Sequence, residues 1–407
     1  MDGLVIGIDL CDNRTHITCA DPDRTWVIPT VICRNRNSDE WYADEEAYAH
    51  ALVGDGVIED KLLMQVKKDG TATISGIRYD AGTLLQKFLM KCLEYPRKEA
   101  GNTEIDSLVI SLENPDVKVM DCLMYCADDL GIDRRRVHII SHTDSFIYYV
   151  MSQKRELWSN QVGMYSLEDE NLRYYELRVQ RGLRKMMVLA DSEKQEESFR
   201  LDVMETPAGK KVADKILATC AERNLGRRLF SGIILTGKGF EETDWAPEFM
   251  KKICARRRVF TETSLFSRGA CLRAKDYLRS KTEFPFSCIC DGHLKSTVSV
   301  RVVDRDRDSQ LVMAAAGEGW YEAKSTSEFI VAGEPEIEFT VTPLDQRKKK
   351  VITIPLEGFP ERPDRTTKIC LSLGFSDERT MVCVIRDMGF GEFFPATDTV
   401  IKREVEL

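Results

Sequence analysis

From Leu4 to Leu10 the chain is an almost unbroken apolar run, which predicts a buried strand. Arg14 to Cys19 follows after a turn at Asp12-Asn13 as a second strand, and Trp26 to Cys33 reads as a third with Pro29 inside it. Asp44 to Val53 is a short helix candidate and Thr71 to Ile77 an alternating strand. Over Ala81 to Leu93 the residues Leu84, Leu85, Phe88, Leu89 and Leu93 fall on one side of a helix. Ile105 to Leu112 is another buried strand. Pro115 to Leu130 reads as a helix closing at Gly131, Val137 to Ile140 as a strand, and Thr143 to Met151 as a helix.

Past residue 160 the pattern begins again. Gln161 to Leu167 and Leu172 to Gln180 predict a hairpin, and Arg184 to Leu189 a further strand. Lys210 to Glu222 is a helix, Gly232 to Thr236 a strand, Ala246 to Ala255 a helix, and Ser267 to Arg279 a helix with the small residues Gly269, Ala270 and Ala274. From about Pro285 the helical stripes stop. Val298 to Val303, Glu336 to Thr342, Val351 to Pro355, Lys368 to Leu373 and Thr380 to Arg386 alternate as strands between turn-rich segments.

Composition narrows the function. With 407 residues and 43% hydrophobic content the chain can bury a substantial core, and its length suggests two or three domains. A net charge of -9 argues against nucleic-acid binding, which needs a basic surface. The runs Arg134-Arg135-Arg136, Arg256-Arg257-Arg258 and Lys348-Lys349-Lys350 are separated and diluted by acids, and read as solvated faces. No apolar stretch is long enough to cross a bilayer, and the opening has no basic flank or small-residue cleavage site, so neither a membrane span nor a signal peptide is expected. The 13 cysteines, an odd number scattered through apolar segments, suit reduced thiols in the cytoplasm. Five histidines without local partners offer no metal or triad motif, and no Walker loop or G-x-S-x-G elbow occurs.

Five segments stand in a telling order: Gly7-Ile8-Asp9-Leu10; Val137-His138-Ile139-Ile140-Ser141-His142-Thr143-Asp144-Ser145; the hairpin tip Ser166-Leu167-Glu168-Asp169-Glu170-Asn171; Ile233-Ile234-Leu235-Thr236-Gly237-Lys238-Gly239-Phe240; and Ser267-Arg268-Gly269-Ala270-Cys271-Leu272-Arg273-Ala274. With the twice-read strand pattern, they resemble the actin/DnaK-like ATPase superfamily over about residues 1–280, and within it a family of actin-like ATPase-domain proteins from Firmicutes. The resemblance implies an α/β fold: a duplicated ribonuclease-H-like (actin/DnaK-type) two-lobe domain, with lobes at 1–155 and 156–284, the second with a reduced outer subdomain, followed by an all-β C-terminal module at 285–407.

By the same resemblance, Gly7 and Asp9 belong to a first phosphate loop, Asp9 holding magnesium through water, and Asn13 forms its turn. His142 falls where relatives carry a water-orienting Glu, which makes Asp9 and His142 the catalytic candidates. The alternative for His142 is a loop histidine before a helix capped by Ser141 or Thr143. Thr236, Gly237, Lys238 and Gly239 correspond to the adenosine loop. The implied cofactor is ATP or ADP with magnesium.

Two departures weaken catalysis. Cys11-Asp12-Asn13-Arg14 replaces the glycine and small hydroxyl residues that follow the first loop. The hairpin tip carries carboxylates where relatives have glycines that wrap phosphate, and like charges at close range oppose a polyphosphate. The expectation is therefore a bacterial-type, cytoplasmic pseudo-ATPase acting through protein partners, without nucleic acid or membrane. The alternatives are an active ATPase coupling the cleft to a chaperone-like β-sandwich, and an actin-like filament protein. In the C-terminal module, Met388-Gly389-Phe390-Gly391-Glu392-Phe393-Phe394-Pro395 is expected to plug the module's own core rather than line a peptide groove. Trp320-Tyr321 is given the same core assignment.

Overall fold

In the computed structural model of the protein, the run Leu4–Leu10 forms strand β1, buried along its whole length. The structure describes residues 3–101, 104–169, 171–181, 186–226, 228–304, 307–344 and 348–407. It is mixed α/β and divides into two units, Met1–Cys288 and Ile289–Leu407.

In the first unit β1 pairs antiparallel with β2 (Arg14–Ala20), and β2 with β3 (Asp23–Pro29). The strand expected over Trp26 to Cys33 breaks at Thr30. Proline cannot donate to a ladder, and β3 stops on Pro29 before β4 (Val31–Asn35) joins a separate small sheet with β5 (Trp41–Ala43) and β6 (Gly56–Asp60). Helix α1 (Asp44–Val53) connects these two edge strands, and α2 (Leu62–Lys67) follows β6. The single strand expected over Thr71 to Ile77 is instead a hairpin, β7 (Thr71–Ile74) and β8 (Ile77–Asp80). Ser75 and Gly76 between them both have positive φ, 52° and 78°, the requirement of a two-residue primed turn.

Helix α3 (Ala81–Ala100) starts where Asp80 accepts the Thr83 N–H at 2.9 Å. It is followed by β9 (Ile105–Leu112), α4 (Val117–Asp129), β10 (Val137–Ser141) and α5 (His142–Ser152). Strand β9 runs parallel to β1 on one side and to β10 on the other, giving the sheet order β10-β9-β1-β2-β3.

The second half of this unit contains β11 (Gln161–Glu168), β12 (Asn171–Arg181), β13 (Met186–Lys194), α6 (Pro207–Leu225), β14 (Phe230–Thr236), α7 (Pro247–Ile253), β15 (Arg258–Thr261) and α8 (Leu265–Tyr277). Arg184, where the strand now called β13 was expected to begin, lies outside the described residues. Strands β11, β12 and β13 are successively antiparallel, while β14 is parallel to β11 and to β15. The order β15-β14-β11-β12-β13 thus repeats both the sequence and the directions of the first sheet, with a sixth strand, β16 (Phe286–Ile289), added beside β13.

Helix α8 ties the halves together. A Cβ on Gly7 would sit 2.2 Å from the Cys271 backbone nitrogen, and one on Gly269 would sit 2.0 Å from the Ser145 carbonyl oxygen. Only bare backbone allows α8 this close to β1 and α5. Val5, Val109, Ala270 and Ala274 fill the contact. All 13 cysteines are free. Among the described residues no helix is long and apolar enough to cross a membrane.

After β16 (Phe286–Ile289), the second unit contains β17 (Ser296–Asp304), β18 (Arg307–Ala314), β19 (Ser325–Val331), β20 (Glu336–Pro343), β21 (Lys350–Pro355), β22 (Thr367–Phe375), β23 (Thr380–Gly389) and β24 (Val400–Glu406). They form two four-stranded sheets, β18-β17-β20-β21 and β19-β22-β23-β24. Along β23, Met381, Cys383 and Ile385 are buried in alternation, and the next inward position is Asp387.

Its carboxylate accepts two bonds from Arg362, both 2.7 Å, and others from Gly389, the Thr397 amide and the Thr397 hydroxyl. Hydrogen bonds from Arg362 hold its carboxyl well below the usual range. This knot folds the following loop back on itself: a Cβ on Gly389 would meet the Ala396 nitrogen at 2.4 Å. The expected aromatic plug is therefore not seen. Phe393 is 91% exposed and Phe390 40% exposed, because Asp387 with Arg362 occupies the inward position. Of the pair assigned to the core, Trp320 is buried and Tyr321 half-buried.

Removing one partner of a buried ion pair strands the other charge. Asp387→Ala is expected to destabilise the second unit by about 3–5 kcal/mol. Hydrogen exchange of β22 to β24 checks this, and unchanged protection would contradict it.

Candidate functional site

The C-terminal ends of β1, β9 and β10, the β11–β12 hairpin and the loop after β14 meet around one cleft of about 1200 Å³ within the first unit. Crevices at the carboxyl ends of parallel strands are the usual ligand sites of α/β folds. Asp9, Asn13, His142, Thr236, Gly237, Lys238 and Gly239 all line it. Gly7 does not. It sits in mid-strand against α8, so its place in the candidate cofactor set is corrected to a packing role.

At one point of the cleft wall, Asp9, Cys11 and His142 converge. His142 is the first residue of α5, fixed by Ser141, whose hydroxyl caps the helix and whose own N–H is bonded by Asp144. The imidazole stacks on Phe266 with ring centroids 3.8 Å apart and planes 12° from parallel. Its Nε2 lies 2.7 Å from Asp9 Oδ1, and the Cys11 thiol donates to the same oxygen at 3.4 Å. The sulfur is 3.9 Å from Nε2.

Burial raises the Asp9 carboxyl, but the charge and hydrogen bond of His142, with help from His16, outweigh it and leave Asp9 below its ordinary value. Burial and then the charges of Asp9, Glu113 and Glu168 push the Cys11 thiol far up. His16 faces Asp9 across the β1–β2 ladder and bonds Ser264 at 3.0 Å; burial lowers its pKa. The residue expected to activate water and the residue expected to hold magnesium are thus bonded to each other.

The second loop is occupied by its own side chains. Gly237 has φ of +93°, and a Cβ there would come 2.5 Å from the Leu167 carbonyl oxygen, so the turn needs glycine. Leu167 also packs on Gly239. With hairpin and loop pressed together, the Lys238 backbone N–H donates to Glu168 Oε1 at 3.0 Å. Asp169 accepts from Asn13 Nδ2 at 2.5 Å, tying the tip to the first loop. Glu170 lies outside the described residues. Burial pushes the Glu168 carboxyl up to about 7, against the stabilising Lys238 amide and with Asp9 adding repulsion.

Sequence reasoning missed Glu113, Arg173, Asn171 and Glu241. Glu113 accepts from Asn171 at 2.6 Å and from Arg173 Nε, while Arg173 also reaches Asn114 at 3.3 Å. Arg14 donates to Glu241 at 2.8 Å. Each of these bonds joins the first half of the unit to the second. Glu113 was findable, since it directly follows β9 at the strand end that opens on the crevice. Asp12, expected to repel phosphate, instead accepts the Leu63 and Met64 N–H groups at the start of α2, at 2.8 and 3.3 Å.

Because Glu168 titrates higher folded than unfolded, the folded state holds the extra proton between about pH 4.3 and 7. Stability should fall as pH rises through that window, and Glu168→Gln should remove that part of the slope. Urea unfolding of both proteins at pH 5 and pH 8 checks this: the variant should gain relative to the parent at pH 8, and an equal difference at both pH values would contradict it.

Comparison with known proteins returns no curated relative. Residues 293–407 match a domain of unknown function, DUF8552. The two matched regions meet within a few residues of the boundary between the two units. Residues 13–291, more than half of the chain, match the C-terminal model of the family of unknown function DUF5716, and the chain belongs to that family.

Proposed function

We propose that the first unit is a duplicated ribonuclease-H-like domain of the actin/DnaK type, that the second is an all-β module, and that the protein is a cytoplasmic interaction module of this class that does not turn over nucleotide. The repeated strand order, with identical directions in both sheets, supports the duplication. One observation carries the functional reading: the Lys238 amide, in the loop that would receive a nucleotide, is already bonded to Glu168 of the chain's own hairpin. A carboxyl there takes a donor that an anionic ligand would use, and above about pH 7 its charge also repels a second anion.

The cross-cleft bonds support the same conclusion, since Asn13–Asp169, Arg14–Glu241 and Arg173–Glu113 tie the halves directly to each other. Ties of this kind across the cleft suit a docking scaffold better than a hinge.

For an active chaperone-like ATPase, Asp9 would have to leave His142 to reach magnesium, and the hairpin acids would have to withdraw. Titration calorimetry with ATP and magnesium tests the choice. The scaffold reading expects no saturable heat up to about 1 mM nucleotide and no phosphate release above buffer. In Glu168→Gly/Asp169→Gly, which restores bare backbone at the tip, it expects binding to appear. Tight binding by the parent with phosphate release, abolished by Asp9→Ala, would overturn it.

A further inference from the structure

We propose that Asp9, Cys11 and His142 form a zinc-type transition-metal site in the wall of the cleft. The donors are a carboxylate, a thiol and an imidazole, a set suited to Zn²⁺ rather than to magnesium, which prefers oxygen ligands alone. They come from two separate segments of chain. Asp9 lies near the end of β1 and Cys11 just past it, and the Cys11 thiol turns back to Asp9 Oδ1. His142 arrives from the β10–α5 junction. Its ring is held by the stack on Phe266, with Nε2 directed at Asp9.

The spacing fits a tetrahedral ion closely. Zinc bonds of about 2.0–2.3 Å place neighbouring ligand atoms about 3.3–3.6 Å apart. The three separations here are 2.7, 3.4 and 3.9 Å. Side-chain shifts of about 0.6 Å or less bring all three to that geometry. Asp9 and His142 are 7% and 5% exposed, so the pair is largely shielded from competing water.

On binding, the Cys11 thiol releases its proton to solvent and becomes a thiolate ligand, and the proton shared between His142 Nε2 and Asp9 Oδ1 is also released, freeing both atoms for the ion. All three residues line the cleft, which leaves the fourth position to water or to a group entering from it. The site is independent of whether the cleft accepts a nucleotide.

The test uses full-length protein stripped with a chelator, reloaded with Zn²⁺ and desalted, then measured for metal by elemental analysis. The site predicts one retained equivalent. Reloading with Co²⁺ should give a thiolate-to-metal charge-transfer band that disappears in Cys11→Ser. His142→Gln and Asp9→Asn, each checked for folding by circular dichroism, should lower Zn²⁺ affinity at least about tenfold in chelator competition. Cys254→Ser, at an exposed cysteine away from the cleft lining, should leave affinity and spectrum unchanged. Failure to retain an equivalent of metal would overturn the proposal. So would an unaltered spectrum in Cys11→Ser, or unaltered affinity in both His142→Gln and Asp9→Asn. None of these readouts involves nucleotide, so they stand apart from the calorimetry.

Discussion

A backbone N–H is a donor that seeks an acceptor, and the one on Lys238 sets the character of this cleft. Gly237 and Gly239 let the loop after β14 press against Leu167 of the hairpin. Once they are in contact, Glu168 is the acceptor within reach, at 3.0 Å. The consequences run outward from that bond. A carboxylate is drawn into a poorly solvated place and its proton affinity rises. Its neighbour Asp169 is turned to Asn13, and the hairpin tip becomes part of the protein's own hydrogen-bond network.

A second constraint is steric. Helix α8 reaches β1 and α5 only because positions 7 and 269 lack side chains. That contact carries Phe266 to the stack with His142 and Ser264 to the bond with His16. The polar cluster of the cleft wall therefore depends on close backbone packing from the far end of the unit. The second unit is organised differently, around a buried ion pair that holds one loop in shape and leaves Phe390 and Phe393 facing water.

Much of this was legible in the sequence where burial is two-sided. β1, β9 and β11 are rich in apolar residues and buried over almost their whole length, and α3 and α4 carry clear stripes. Strands that leave most residues in solvent gave no such signal. β18 has only Met313 and Ala314 buried, and β19 none, and neither was expected from the pattern. The β7–β8 turn was hidden because Ser75-Gly76 sits inside an otherwise alternating segment. Site residues on loops beside glycines could be placed in the cleft from order alone. Their pairings could not, since Cys11 and His142 are separated by 131 positions and Asn13 and Asp169 by 156. Gly7 reads as a loop glycine in sequence because nothing local reveals the helix that will cover it.

Crystals of the protein grown with magnesium and a non-hydrolysable ATP analogue probe the Lys238 amide most directly. The account predicts electron density in which Glu168 still accepts that N–H and no phosphate touches the hairpin tip. A phosphate oxygen on the Lys238 nitrogen, with Glu168 swung aside, would contradict it.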